Sequence, residues 1–425
     1  MKILQLFPYI PTPPTFGGAL RVYHILNHLV KNYDVTVAGF NGSGDFKAFQ
    51  DTFPELQNKM HFYDPNKSLP HRLRQFTTLF TGHSAWYNWT QSKELQRILD
   101  ELLEKNDYDL ILTEFAAMGH FDLKTDAMKV LDAHNVEYDN YRRMSTLDWS
   151  YIRKKFYERE FEKVFVEETE IFKLQDAILS TSGRDRDIIK GHAPKPKHFV
   201  IPNGVDTSYF EADDLILEPY TMVFTGAMGY VPNNDGMNFF LEKIFPKIKK
   251  ALPDAKIYIV GNNPPPMLLK YQSDDVIITG FVNDVRPYIN RASVYVVPLN
   301  MGSGTRLKVV EALSMKKPIV STSIGCEGID VVDGEHILIR DNPETFAEAV
   351  IELMKNKELS RRLVKNGYEL VCEKYDWKII GEHIDAAFTD IMKKPEPEEP
   401  RVIKKNIREY QPETNGQMIF KGENY

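Results

Sequence analysis

Cysteine is scarce in this chain: Cys326 and Cys372 are the only two among 425 residues. Two thiols so placed build neither a disulfide framework nor a cysteine-rich metal site, and they fit a reducing compartment. Equally missing is any uninterrupted run of about 20 apolar residues, the length a membrane-spanning helix needs. Met1 leads straight into Lys2-Ile3-Leu4-Gln5-Leu6-Phe7, a strand-like run lacking the long apolar core and small-residue cleavage site of a signal peptide. A surplus of positive charge is absent too: the formal net charge is -7, which provides no general field for nucleic acid. These absences predict a cytoplasmic protein with no nucleic-acid partner.

What is present is material for two cores. At roughly 100–200 residues per domain the length calls for two domains, and a hydrophobic content of 42% with 27% charged residues is that of an ordinary globular chain. Short apolar runs alternate with longer segments of helical period, the pattern of parallel sheets covered by helices on both faces. The first series of strand candidates is Lys2 to Phe7, Val35 to Phe40, Met60 to Tyr63, Leu110 to Thr113, Lys129 to Asp132, Ala177 to Thr181 and Phe199 to Ile201. The second is Thr221 to Gly226, Lys256 to Val260, Val276 to Thr279, Val294 to Val297 and Pro318 to Ser321. The fold class expected is therefore α/β, with two Rossmann-like, doubly wound parallel-sheet domains facing a cleft. A turn and an acidic stretch between Pro202 and Pro219 mark the boundary. The expected division is 1–202 for an N-terminal acceptor domain and 203–376 for a C-terminal donor domain. Residues 377–393 read as a helix returning to the N-terminal domain, and 394–425 as a mobile tail without a packable period.

The most informative segment is Pro298-Leu299-Asn300-Met301-Gly302-Ser303-Gly304-Thr305-Arg306-Leu307-Lys308-Val309-Val310-Glu311, a glycine-rich loop between a buried strand and a helix. Such loops bind anions, because glycines let backbone N–H groups approach a phosphate and a helix N-terminus adds about half a positive charge. Arg306 and Lys308 would add full charges, and Glu311, one turn deeper, would face sugar hydroxyls. The plain structural alternative is a tight turn with Arg306 and Lys308 solvated and Glu311 paired to one of them.

This passage, continuing through Met315-Lys316-Lys317-Pro318-Ile319-Val320-Ser321-Thr322 to Gly325-Cys326-Glu327-Gly328, resembles the retaining GT-B glycosyltransferases of family four, also called glycosyl transferases group one. The likeness runs from residue 1 to about 390 and is strongest in the second half. In that family the last Glu of a Glu-x7-Glu pattern bonds the donor's ribose, which the resemblance assigns to Glu311. The first Glu falls on Ser303, so this chain is similar to a subgroup with Gly-x-Gly-Thr-Arg-x-Lys followed by Glu. Ala227 and Asn234 stand near the places of the family's diphosphate-neutralising Arg and Lys, a role that passes to Arg306 and Lys308 in this reading. The resemblance implies donor-binding roles for Gly17, Gly18, Gly226, Gly304, Thr305, Arg306, Lys308 and Glu311. It implies a catalytic role for His134 together with Arg306 and Lys308. Arg21, Asn135, Glu137 and Ser303 are the expected acceptor or sugar contacts.

Two Asp-x-Asp runs, Asp107-Tyr108-Asp109 and Asp185-Arg186-Asp187, match the metal motif of another glycosyltransferase fold. The first precedes its strand and the second opens a helix, where acids suit the dipole, so neither a metal nor a bound cofactor is expected. Basic and aromatic residues at Tyr151 to Phe161 and His71 to Trp89 are read first as packed and solvated helix faces. Their second reading is a surface that meets the inner face of a membrane beside a lipid-linked acceptor. The activity implied is transfer of a sugar from a nucleotide-diphosphate sugar to a saccharide or lipid-linked acceptor, with retention of configuration, in polysaccharide or glycolipid synthesis. The rivals are a sugar-nucleotide epimerase of the same fold and a non-catalytic nucleotide-sugar-binding protein.

Overall fold

Five of the six side chains from Lys2 to Phe7 are buried without alternation, which is how a parallel strand covered on both faces reads. The computed structural model describes residues 1–14, 16–42, 44–64, 82–146, 150–212, 217–302 and 304–393. Among them, strands form two parallel sheets of seven and six members. The first contains β1 (Lys2–Phe7), β2 (Asp34–Phe40), β3 (Met60–Tyr63), β4 (Leu110–Glu114), β5 (Met128–Ala133), β6 (Ala177–Ser180) and β7 (Lys197–Val200). Its spatial order is β3-β2-β1-β4-β5-β6-β7. The second contains β8 (Thr221–Thr225), β9 (Lys256–Val260), β10 (Val276–Gly280), β11 (Val294–Val297), β12 (Ile319–Ser321) and β13 (Leu338–Ile339), in the order β10-β9-β8-β11-β12-β13. All twelve expected strands are found within a residue or two of their expected ends. The two-residue β13 was not expected, being too short to carry a period.

Around the sheets pack, among others, α1 (Gly17–Asn32), α2 (Glu137–Ser145), α3 (Tyr151–Lys173), α4 (Val231–Phe239), α5 (Leu307–Ser314) and α6 (Trp377–Ile391). In α6, Ile380, Ile384, Phe388 and Ile391 recur at helical spacing and sit in the core of the first sheet with Ile25, Leu26 and Leu29 of α1. Four such side chains, at roughly 1.5–3 kcal/mol each for full burial, fasten the end of the second domain's chain onto the first. Trp377 stacks on His24 at 4.7 Å, and Asp385 accepts hydrogen bonds from His28 and Tyr33.

The two sheets share one winding. In each, the chain runs to one side of the first strand and then switches to the other, so crevices open between β1 and β4 and between β8 and β11. Ligands in open parallel sheets bind at such switch points, beyond the carboxyl ends of the strands.

Candidate active site

Helix starts along the sheet edges differ in their capping, and the short helices after β9 and β10 start without a side-chain cap as well as those at the switch points. The helices after β2, β6 and β13 are capped by the side chains of Asp45, Ser182 and Asn342, as free helix N–H groups require. Those after β1, β8 and β11, namely α1, α4 and α5, have no side-chain cap and no acid in the first turn. Two of these uncapped ends face each other across the domains, since a Cβ on Gly17 would lie 3.3 Å from Leu307 Cδ1. Free N–H groups and the positive ends of two helices thus converge in one cleft, a field suited to an anion.

The second domain supplies the cleft's cationic wall. Gly302 and Gly304, at φ 112° and 78°, let the loop turn back over the start of α5, in a region that side chains rarely enter. Arg306 is buried, with Nε donating to the Ile324 carbonyl at 3.2 Å, and that burial lowers its pKa. Lys308 Nζ donates to Asn233 Oδ1 at 2.8 Å and lies 4.0 Å from the Phe224 ring centroid. A Cβ on Gly226 would be 2.8 Å from both this amine and Asn233 Nδ2, so a glycine is needed there. Burial and then Arg306 bring the Lys308 ammonium down to about 7, while burial pushes Glu311 up to about 7 against the pull of Lys308. Among the described residues no hydrogen bond or ion pair engages the Glu311 carboxylate, and the buried Thr305 hydroxyl has no partner either.

The first domain's wall is charged but internally paired. Asp132, at the end of β5, receives Arg21 Nε and Nη2, both at 2.7 Å. His134 Nε2 lies 2.8 Å from Glu114 Oε2 and 3.3 Å from Asp132 Oδ2, and Gln5 donates to Glu114 Oε1 at 2.6 Å. Burial and the neighbouring Asp132 push Glu114 up to about 7. For Asp132 burial acts the same way, but Arg21 and His134 outweigh it and hold the carboxyl well below its usual range. For His134 burial is again opposed and overcome, here by Asp132 and Glu114, so its pKa is raised. The ring stacks on Phe115 at 3.7 Å. Phe115 takes φ 66° and ψ 135°, a conformation that costs a bulky residue roughly 1–3 kcal/mol and persists only where its surroundings enforce it.

Glu114, Asp132 and His134 are, among the described residues, the one grouping with the chemistry to ligate a metal. Each of their carboxylate oxygens already accepts from Gln5, His134 or Arg21, and the Arg21 guanidinium supplies the positive charge an ion would bring. The grouping is satisfied as it stands, which fits a metal poorly.

Residues from both domains close over the glycine loop. Arg143 of α2 donates to the Gly302 carbonyl at 3.1 Å and, through both terminal nitrogens, to the Glu327 carboxylate at 2.9 Å. Arg184 reaches Asp139 at 2.6 Å and Glu327 at 3.5 Å. A Cβ on Gly304 would meet Asn135 Oδ1 at 2.7 Å.

Most residues expected at the site do gather around this cleft: Gly17, Asn135, His134, Gly226, Gly304, Thr305, Arg306, Lys308 and Glu311. Gly18 packs beneath them against Tyr9 and Phe115. Glu137 is half-buried and accepts from Asn135 and Asn140, both at 3.3 Å. Ser303 lies outside the described residues, as do residues 71–81 of the second basic and aromatic stretch and the expected tail at 394–425. Arg21 must be corrected: it is 1% exposed and bonds Asp132, the Pro202 carbonyl and Asn203. It sits behind the cleft as a positioning residue, because each of its three guanidinium nitrogens already donates to the first domain or the segment that follows it. Sequence reading missed Glu114, Asn233, Arg143 and Glu327, which carry no motif of their own. The one available signal was Glu327, inside the Gly-Cys-Glu-Gly run of the resemblance.

Comparisons with known proteins match both domains. A family model described as Glycosyltransferase Family 4 matches residues 17–209, and one described as Glycosyl transferases group 1 matches residues 219–356. The chain is 26% identical over 307 residues to an uncharacterised 44.6 kDa protein in the cps region of Klebsiella pneumoniae, covering 69% of this chain and 77% of that one. It is 28% identical over 193 residues to an uncharacterised glycosyltransferase of Methanocaldococcus jannaschii, over 43% of this chain and 51% of the other. In fold it is similar to sucrose-phosphate synthase from Thermosynechococcus elongatus, with TM-score 0.68 at 16% identity over 92% of this chain and 99% of that one. It is similar too to Anabaena HepE in complex with UDP, with TM-score 0.66 at 12% identity over 92% and 100%. Matched in each of its two domains and wound as these enzymes are, the chain belongs to the glycosyltransferases of GT-B fold.

Proposed function

We propose that the enzyme moves a sugar from a nucleoside-diphosphate sugar to an acceptor hydroxyl with retention of configuration and without a metal ion. The observation that carries this reading is the pair of uncapped helix ends, α1 and α5, meeting in a cleft beside the buried Arg306 and the partly buried Lys308. In the reaction the sugar–phosphate oxygen bond breaks and negative charge grows on the leaving diphosphate. Backbone N–H groups, Arg306 and Lys308 stabilise that charge from fixed positions, at no reorganisation cost when the bond breaks. Glu311 accepts from the donor's ribose hydroxyls, and His134 contacts the donor sugar. Domain closure over the Arg143–Glu327 contact keeps water from the reacting carbon. Solved neighbours support the donor class: HepE is described in complex with UDP-glucose, and Staphylococcus aureus TarM with UDP and alpha-GlcNAc-glycerol.

The acceptor in this reading is a saccharide or a lipid-linked saccharide, and the cps-region relative favours polysaccharide synthesis. Tyr151 and Ile152, 76% and 82% exposed at the start of α3 beside Arg153, Lys154 and Lys155, suit contact with an anionic membrane face. Among the described residues no helix is long and apolar enough to cross a membrane.

A thermal-shift panel of uridine, guanosine and adenosine diphosphates, with and without chelator, tests the donor. A ligand at a hundred times its Kd adds about 2.7 kcal/mol, at roughly 2–4 °C per kcal/mol for a domain of this size. One nucleotide class should shift the transition regardless of chelator. No shift from any of them in a folded sample would refute the donor reading, a shift without turnover would favour the non-catalytic rival, and product formed without acceptor would favour an epimerase.

A further inference from the structure

The chemistry around His134 goes further than a donor contact. Its Nε2 faces two carboxylates at 2.8 and 3.3 Å. Asp132, held ionised by Arg21, accepts hydrogen bonds and does not donate them, so the proton sits on Nε2. The other ring nitrogen, Nδ1, has no hydrogen-bond partner among the described residues, although the side chain is only 4% exposed. The ring itself is held by the Phe115 stack, and Phe115 keeps a strained backbone to make that stack. Asn135, the next residue, touches the glycine loop of the opposite domain, so His134 lies at the meeting of the two halves.

Charge in the cluster points the same way. The charged and titratable groups around the imidazole are Glu114 from β4 and Asp132 from β5 in contact with it, Arg21 from α1 bound to Asp132, Glu137 from α2, and the Tyr9 hydroxyl, from the loop after β1, acting on Glu114. Of these, Asp132 is offset by the bidentate Arg21. The Glu114 carboxylate has only neutral Gln5 and the imidazole. An unbalanced buried charge is costly, so the Glu114–His134 pair retains one extra proton.

We propose that Glu114 is a positioning residue which fixes His134 as an imidazolium, Nε2–H turned inward and Nδ1–H turned to the donor in the cleft. The part concerning the donor rests on the glycosyltransferase reading; the state of the ring does not. A cation beside a departing diphosphate helps the step, whereas the neutral ring with Nδ1 as acceptor would repel an anion's lone pairs. Glu114 never touches the substrate, and it acts through the ring.

Histidine-labelled protein examined by long-range proton–nitrogen NMR tests this directly, with His134 assigned from its absence in His134→Asn. In the wild type the ring should stay doubly protonated well above the ordinary imidazole value of about 6.5. In Glu114→Gln that transition should fall by roughly 1–3 pH units, as expected on losing an opposite charge at this distance. Turnover should fall with it while nucleoside-diphosphate affinity holds, a split that a merely structural residue would not give. A wild-type ring that is neutral at neutral pH overturns the proposal even if the variant does not fold. An unmoved transition in Glu114→Gln overturns it as well. If no nucleotide binds the wild type, the donor reading fails while the ring's protonation still decides this inference.

Discussion

The two walls of the cleft are built on opposite terms. On the first domain's side Arg21, Asp132, His134, Glu114 and Gln5 are linked by contacts of 2.6 to 3.3 Å. On the second domain's side the helix ends are uncapped, Lys308 meets only a neutral amide by hydrogen bond, and Glu311 has no hydrogen-bond partner among the described residues. Burying polar groups without partners is unfavourable, and a protein tolerates it where a ligand completes the set. The paired wall holds geometry, and the unpaired wall recognises. Changes on the first should therefore appear mainly in stability or turnover, and those on the second in binding or in stabilising the leaving group.

The largest expected effect is on the paired wall. Arg21→Leu leaves Asp132 buried and uncompensated, and removing one partner of such a pair costs roughly 3–5 kcal/mol. Urea unfolding should show this as a lower midpoint; an unchanged midpoint would mean that the cluster does not organise the first domain.

On the unpaired wall, Glu311→Ala should weaken nucleoside-diphosphate binding by about 1.5–3 kcal/mol, the range for hydrogen bonds to a charged group, with unfolding little changed. Arg306→Ala should act mainly on turnover. Titration calorimetry and steady-state rates separate the two, and wild-type behaviour of both variants would remove these roles.

The same wall sets a pH dependence whose sign follows from its two shifted groups. Binding needs Glu311 ionised, which is lost as pH falls through about 7, and Lys308 protonated, which is lost as pH rises through about 7. Affinity should peak near neutrality and fall on both sides. Glu311→Gln should flatten the acid side and leave the alkaline side in place. A single-sided profile in the wild type would refute the pairing of these two groups.

Smaller effects belong to the contacts between the walls. Gly304→Ala puts a side chain at φ 78° and 2.7 Å from Asn135 Oδ1. The backbone term alone is about 1–2 kcal/mol, and closure should suffer beyond that, seen as a raised ratio of donor hydrolysis to transfer. Smallest is Arg143→Ala. Its ion pair with Glu327 is 29% and 27% exposed, and pairs this open to water contribute roughly 0.2–1 kcal/mol. A double-mutant cycle with Glu327→Ala should show coupling in the hydrolysis ratio; purely additive variants would mean the contact does not govern closure.

Much of the architecture was legible without coordinates. Runs such as Val294 to Val297 and Lys256 to Val260 are short, apolar and bounded by turn residues, so local pattern alone places strands there. The glycine loop was legible for a similar reason: positive φ at Gly302 and Gly304 and a helix start at Leu307 are demands written into neighbouring residues. The places of the Asp-x-Asp runs were legible as well: Asp109, just before its strand, accepts the Lys2 amide at 2.7 Å, and Asp185 sits in a first turn capped by Ser182.

Contacts between distant residues were not legible, because their energy depends on which side chains meet. Arg21 and Asp132 are 111 positions apart, and Arg143 and Glu327 are 184 apart; nothing in the local sequence of either announces the other. By itself the sequence determined the two sheets, the glycine loop and the chemical class of its side chains, since these follow from residue size, polarity and backbone freedom over short spans. The tertiary structure decided that Arg21 is a buried anchor, that Glu114 stands behind His134, and that α1 and α5 point their bare ends at each other. Electrostatics in a closed cleft depends on distance and burial, and only the folded chain sets those.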